Sequence, residues 1–254
     1  MLTKPFALLT LGTLPLLAAC GGSEPPPPPP QPAQAAKPAA APAGGGATGS
    51  ISGKVSFEGQ VPPGDKVKLT PECKALHANG LERQSIKVKD GGLADVYVYV
   101  KSPVSGSYPA PTTPVVLDQN GCTYVPHVVA LQVGQPLTIR NSDEMLHNIH
   151  PRPTVNAEFN IGQPRKNMES TKTFDKPELM ITVGDDVHPW KRCYISVAPN
   201  PFFAVTAEDG SFTIKNLPAG EYEIEAIHEK LDKQTGKVTV KDGEAAKLDL
   251  TFKG

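Results

Sequence analysis

The chain reads as an all-β protein of sandwich or Greek-key barrel type, on three observations. From residue 51 onward, short alternating or apolar runs recur between turn residues, at 51–57, 94–100, 114–117, 128–133, 136–139, 179–183, 194–197, 211–214, 222–227, 237–240 and 247–252. After residue 50 no apolar pattern with a 3.6-residue period is sustained, and 71–79 is the one helical patch, about two turns long. The 254 residues include 28 Pro and 23 Gly, a proline share about twice the usual one that excludes coiled coils and long helices.

The segments follow in order. Residues 1–19 carry one cation, Lys4, and then an apolar stretch broken by Pro15, too short to be a stop-transfer helix, so it reads as a signal peptide. Its end, Leu17-Ala18-Ala19-Cys20, resembles the bacterial lipobox, which implies cleavage before Cys20 and acylation of that residue. Several acyl chains, at about 0.8 kcal/mol per buried methylene, would fix the protein to a membrane of the bacterial cell envelope. Gly21 after the cysteine resembles lipoproteins sorted to the outer membrane; the expected location is lipid-anchored, periplasmic or outer-membrane.

Residues 20–49 contain six consecutive prolines, Pro25 to Pro30, then spaced prolines and Gly44-Gly45-Gly46. Such a composition buries no core and reads as a disordered, semi-rigid tether with a glycine joint. Residues 50–89 hold a first strand and the short helix. Asp-Gly pairs at Asp90, Asp209 and Asp242 and the segment 216–220 supply turns. With 25 Lys plus Arg against 26 Asp plus Glu, the net charge of −1 gives no footprint for a polyanion, so nucleic acid is not an expected partner.

The block 204–224 strings together Thr206, Asp209-Gly210, Phe212, Leu217-Pro218-Ala219-Gly220 and Tyr222. That thread resembles the transthyretin-like, or carboxypeptidase regulatory-like, β-sandwich, so 201–254 is expected to be such a module. Its family usually opens with a strand like 51–57, which implies that the N-terminal strand pairs with the C-terminal sheet.

All six histidines lie after residue 50, and neutral imidazole is the commonest metal ligand. Gly134, the run 136–140, Asn141-Ser142-Asp143 and His147-Asn148 resemble the first copper-ligand segment of cupredoxins, the plastocyanin and azurin superfamily. Residues 183–195, with Asp185-Asp186-Val187-His188-Pro189-Trp190-Lys191, resemble the second segment, which in many exported members reads Cys-Asp-Val-His-Pro-Trp-Met. The resemblance covers about 90–200 and implies a Greek-key cupredoxin-like sandwich with His147 and His188 as ligands. It also implies Asp185 at the thiolate position and Lys191 at the axial methionine position.

A blue-copper centre needs two imidazoles and a thiolate, because the Cu–S bond carries the electron. With Asp185 the set becomes two His and one carboxylate, suited to a colourless centre of copper or another divalent metal, or to none. Lys191 opposes a dication unless it is paired with Asp185 or Asp186. Further candidate ligands are His150, three residues after His147; His127, at the start of an apolar strand; and Cys193, two residues beyond Lys191. The alternatives are a surface His150, a hydrogen-bonded structural His127, and a Cys193 that is a buried apolar residue or half of a disulfide. His228 reads as an interdomain or surface group and His77 as a surface residue. In an exported protein Cys73, Cys122 and Cys193 leave one thiol unpaired. The likeness of 121–127 and 73–77 to parts of the cupredoxin-like family implies a Cys73–Cys122 bridge.

Two functions follow: a membrane-anchored cupredoxin-like protein related to copper-handling or electron-carrying proteins with a redox or envelope partner, or a metal-free envelope binding or scaffolding module. No nucleophile elbow, His-Glu-x-x-His or phosphate loop is present, so an enzyme is not expected.

Overall fold

The computed structural model describes residues 48–254. The expected signal peptide, the lipidated Cys20 and most of the proline-rich tether lie outside the described residues. What is described is all-β: strands throughout, and one helix, Pro71–Leu76. Thr70 caps that helix, its Oγ1 facing the Cys73 N–H, and Pro71 occupies the first turn, where a missing N–H costs nothing. Among the described residues no helix is long and apolar enough to cross a membrane.

The strands form two sandwiches. In the first, Thr48–Glu58 pairs antiparallel with Ser211–Pro218 and Gly92–Leu93, and parallel with Ala245–Lys247 and Leu250–Lys253. A second sheet runs Phe203–Val205, Tyr97–Val100, Gly220–Ile227 and Gln234–Val240. Alternate side chains from both sheets, among them Ile51, Val55, Val98, Phe212, Ile214, Ile224 and Phe252, close the core between them.

The sequence places 90–200 in one block, and here the structure corrects it. Tyr97–Val100 pairs with Phe203–Val205 and Gly220–Ile227, and Val96, Val98 and Val100 enter the first core. The strand is apolar on both faces, Val98 and Val100 turning into the first core and Tyr97 away from it, and nothing local to it says which core either face joins.

The second sandwich starts at Val115. One sheet runs Glu169–Lys172, Leu137–Asn141, Val115–Asn120 and Thr123–Val125; the other runs Ile161–Gln163, His147–Arg152, Glu178–Gly184, Arg192–Ala198 and Val128–Gln132. Its core holds Leu117, Leu131, Leu137, Ile139, Ile149, Phe174, Ile181 and Ile195. Two of its pairs, 137–141 with 115–119 and 194–198 with 128–132, are parallel and require crossovers between the sheets.

The sandwiches meet through Tyr97 of the first and Val128 and Tyr194 of the second, all buried. Glu229 completes the junction: His127 Nε2 lies 2.6 Å from its Oε1, and the Tyr194 hydroxyl donates to Oε2 at 2.8 Å. The helix 71–76 is tied to the second sandwich by the Cys73–Cys122 disulfide and by His77, whose Nε2 is 2.8 Å from the Gly121 carbonyl.

Candidate functional site

Two loops at one end of the second sandwich build the site. The first leaves the strand Leu137–Asn141, and Asn141 shapes it: its Oδ1 accepts from the Asp143 N–H at 2.9 Å and its Nδ2 donates to the Met145 carbonyl at 2.8 Å. Asp143 then clamps three groups. Its carboxylate accepts from the Gly121 and Cys122 N–H groups at 2.9 and 2.8 Å, and its Oδ2 lies 2.7 Å from His147 Nε2. Burial raises the carboxyl's pKa, but the bonds from His147 and the two amides outweigh it and leave it lowered. Burial first, and Lys191 after it, hold His147 below its ordinary value despite Asp143. His147 is therefore neutral, its proton sits on Nε2, and its Nδ1 lone pair faces inward.

The second loop is shaped by Asp185. Its Oδ1 accepts from the Val187 and His188 N–H groups at 2.8 and 2.7 Å, a turn that aims His188 back into the site. His188 Nδ1 then lies 3.2 Å from His147 Nδ1 and 3.4 Å from Asp185 Oδ2, and its ring meets Trp190 edge-on. Trp190 is fixed by an indole N–H donated to the Cys122 carbonyl at 3.1 Å.

Lys191 fills the middle. Its side chain is 0% exposed, and Nζ donates to Asp185 Oδ2 at 2.8 Å and Gln119 Oε1 at 2.7 Å while lying 4.4 Å above the Tyr124 ring. Burial pulls the ammonium down to about 8, against the pull of Asp185. Asp185 in turn stays well below the carboxylate range: burial works against this, and His188, Lys191 and the Asn148 N–H overcome it. Asp185 Oδ2 thus already accepts from Lys191 and, at 3.1 Å, from the Asn148 N–H.

Tested against a metal, the donors are close together but the charge is not free. Separations of 3.2, 3.4 and 3.8 Å among His147 Nδ1, His188 Nδ1 and Asp185 Oδ2 are near the edge of about 3.3 Å that 2.0–2.1 Å tetrahedral bonds require. A dication placed among them would compete with a buried ammonium for the same carboxylate oxygen. As arranged, the residues do not fit a metal.

The other candidates do not join. His150 starts from the same strand as His147 but three positions on, so the two-residue side-chain period turns it to the opposite face. There it meets Asp186 at 2.9 Å and Glu158. His127 is at the junction, 2.6 Å from Glu229, and its ring nitrogens do not cluster with those of His147 and His188. Cys193 is a free thiol packed among Val183, Ile195 and Leu131, where burial raises its pKa. Sequence reasoning missed Asp143, Gln119 and the Lys191 pocket. Asp143 stood in a quoted motif, and its spacing of four from His147 was the available signal.

No family model matches this chain, and no curated protein matches it either. Solved cupredoxin structures are similar to part of it. A mutant of amicyanin in its oxidized state is 24% identical over 33% of this chain and 81% of its own, with a TM-score of 0.30. A purple cupredoxin from Nitrosopumilus maritimus is 18% identical over 33% and 98%, with a TM-score of 0.29. A Cu-containing nitrite reductase from Thermus scotoductus SA-01 is 20% identical over 39% of this chain, with a TM-score of 0.29; the chain spans 25% of that enzyme's length.

Proposed function

We propose that the second sandwich is a cupredoxin-like domain whose metal centre is closed by its own lysine, and that the protein is a lipid-anchored, non-enzymatic binding or scaffolding module of the bacterial envelope. One observation carries the closed centre: the Lys191 ammonium, fully buried, sits on the Asp185 oxygen that faces both imidazoles. A cation supplied by the chain neutralises the carboxylate that stands where the thiolate would be, and no electron-transfer sulfur remains. The anchor rests on Leu17-Ala18-Ala19-Cys20, and the scaffolding role on the paired sandwiches and their shared junction at Glu229.

The donor spacing favours a second reading, a colourless two-histidine, one-carboxylate centre for a divalent metal. The experiment that tests the histidine pair on which both readings rest starts from Asp185→Cys/Lys191→Met in the full chain. If the imidazoles stand as the cupredoxin-like reading requires, this variant binds Cu(II) and turns intensely blue, because thiolate-to-copper charge transfer is restored. Copper bound without colour would show that the histidine pair is not a cupredoxin-like site.

A further inference from the structure

A second cluster of donors lies beside Asp143, whose carboxylate accepts from the Cys122 N–H. Met145 Sδ is 3.5 Å from Cys122 Sγ and 3.9 Å from Cys73 Sγ. Cys122 also belongs, with Asp143 and His147, to a group whose ligand atoms all lie within 4.8 Å of one another. Both cysteines are buried, whereas Met145 is half-buried and gives the cluster its way out to solvent.

We propose that reduction of the Cys73–Cys122 disulfide opens a site for a soft monovalent metal ion, Cu(I) in particular, held by Cys73, Cys122 and Met145. Two thiolates and a thioether are the donor type that selects Cu(I). Metal–sulfur bonds of about 2.3 Å in a trigonal array require sulfur–sulfur edges of about 4 Å. The two edges to Met145, 3.5 and 3.9 Å, are already close to that length, so the edge between the cysteines has most to open, and breaking their bond opens it.

A dithiol reductant supplies the chemistry. It gives two electrons and two protons, the Sγ–Sγ bond breaks, two thiols form, and the reductant leaves as its own disulfide. Cu(I) then binds as the two thiol protons are released. The helix 71–76 offers the route: it is six residues long, exposed on Glu72, Lys74 and Leu76, and held mainly by the bridge itself and by His77 on Gly121.

The test uses the full chain, reduced anaerobically with dithiothreitol, separated from it by gel filtration, and titrated with Cu(I) against a chromophoric Cu(I) chelator. Reduced protein is expected to take one equivalent that oxidised protein does not, and Met145→Leu to weaken that binding at least tenfold. In His188→Ala the equivalent should persist, which separates this site from the histidine pair and leaves the closed-centre reading to be judged on its own. Equal uptake by oxidised and reduced protein, unchanged affinity in Met145→Leu, or loss of the equivalent in His188→Ala would overturn the proposal. So would loss of the β-sheet circular dichroism on reduction, because the fold is what brings the three sulfurs together.

Discussion

Lys191 is the residue on which the reading of the site turns, and its burial makes stability depend on pH in a direction opposite to that of a stabilising lysine. The folded pKa, about 8, lies below the unfolded value of 10.5, so between these the unfolded chain binds more protons and stability rises with pH. The rise, about 1.4 kcal/mol per pH unit once Lys191 has titrated, is clearest below about pH 9, before the buried Cys193 thiol and then Tyr97 and Tyr124, whose pKa values burial raises, act in the other sense. Lys191→Met should cost about 3 kcal/mol at pH 7 by leaving Asp185 without its cation, and should abolish the rise. Urea denaturation from pH 7 to 9 measures both, and an equal slope in the variant would contradict the assignment. The sequence showed Lys191 and Asp185 as replacements in a ligand motif and raised their pairing as a possibility. It could not show that the pair is buried, because burial of a lysine depends on Gln119 and Tyr124, some 70 residues away.

At the scale of elements, legibility followed pattern strength. Runs such as 51–57 and 222–227 appear as strands within Thr48–Glu58 and Gly220–Ile227. The strand His147–Arg152 did not announce itself, since His, Asn, Pro and Arg have little β preference and only Ile149 enters the core. It is recruited by its neighbours, Glu178–Gly184 on one side and Ile161–Gln163 on the other. Glycines hide a similar dependence. Gly92 crosses the Asp209–Gly210 turn so closely that a Cβ would stand 1.7 Å from the Asp209 carbonyl oxygen. Gly92→Ala should therefore cost about 2–3 kcal/mol, because backbone rather than a flexible side chain must move. An unchanged urea midpoint would show that the turn yields freely.

For the whole molecule, the junction between the sandwiches was the feature least open to sequence reasoning. Tyr97, Val128 and Tyr194 look like ordinary strand residues until both sheets are assembled, and the outward face of one sandwich becomes the inward face of the pair. Tyr97 stacks on Tyr99 at 5.3 Å, but its buried hydroxyl has no hydrogen-bond partner among the described residues. Tyr97→Phe should then be neutral or stabilising by about 1 kcal/mol in a thermal melt, and a loss of that size would reveal an acceptor. The proposal that Lys191 closes the site to metal is tested most directly by equilibrium dialysis of the oxidised full chain against Cu(II) and Zn(II) at neutral pH, beside His147→Ala. Wild type and variant should retain the same amount of each metal, since Lys191 holds the site; an equivalent bound by wild type and lost in His147→Ala would overturn the closed centre.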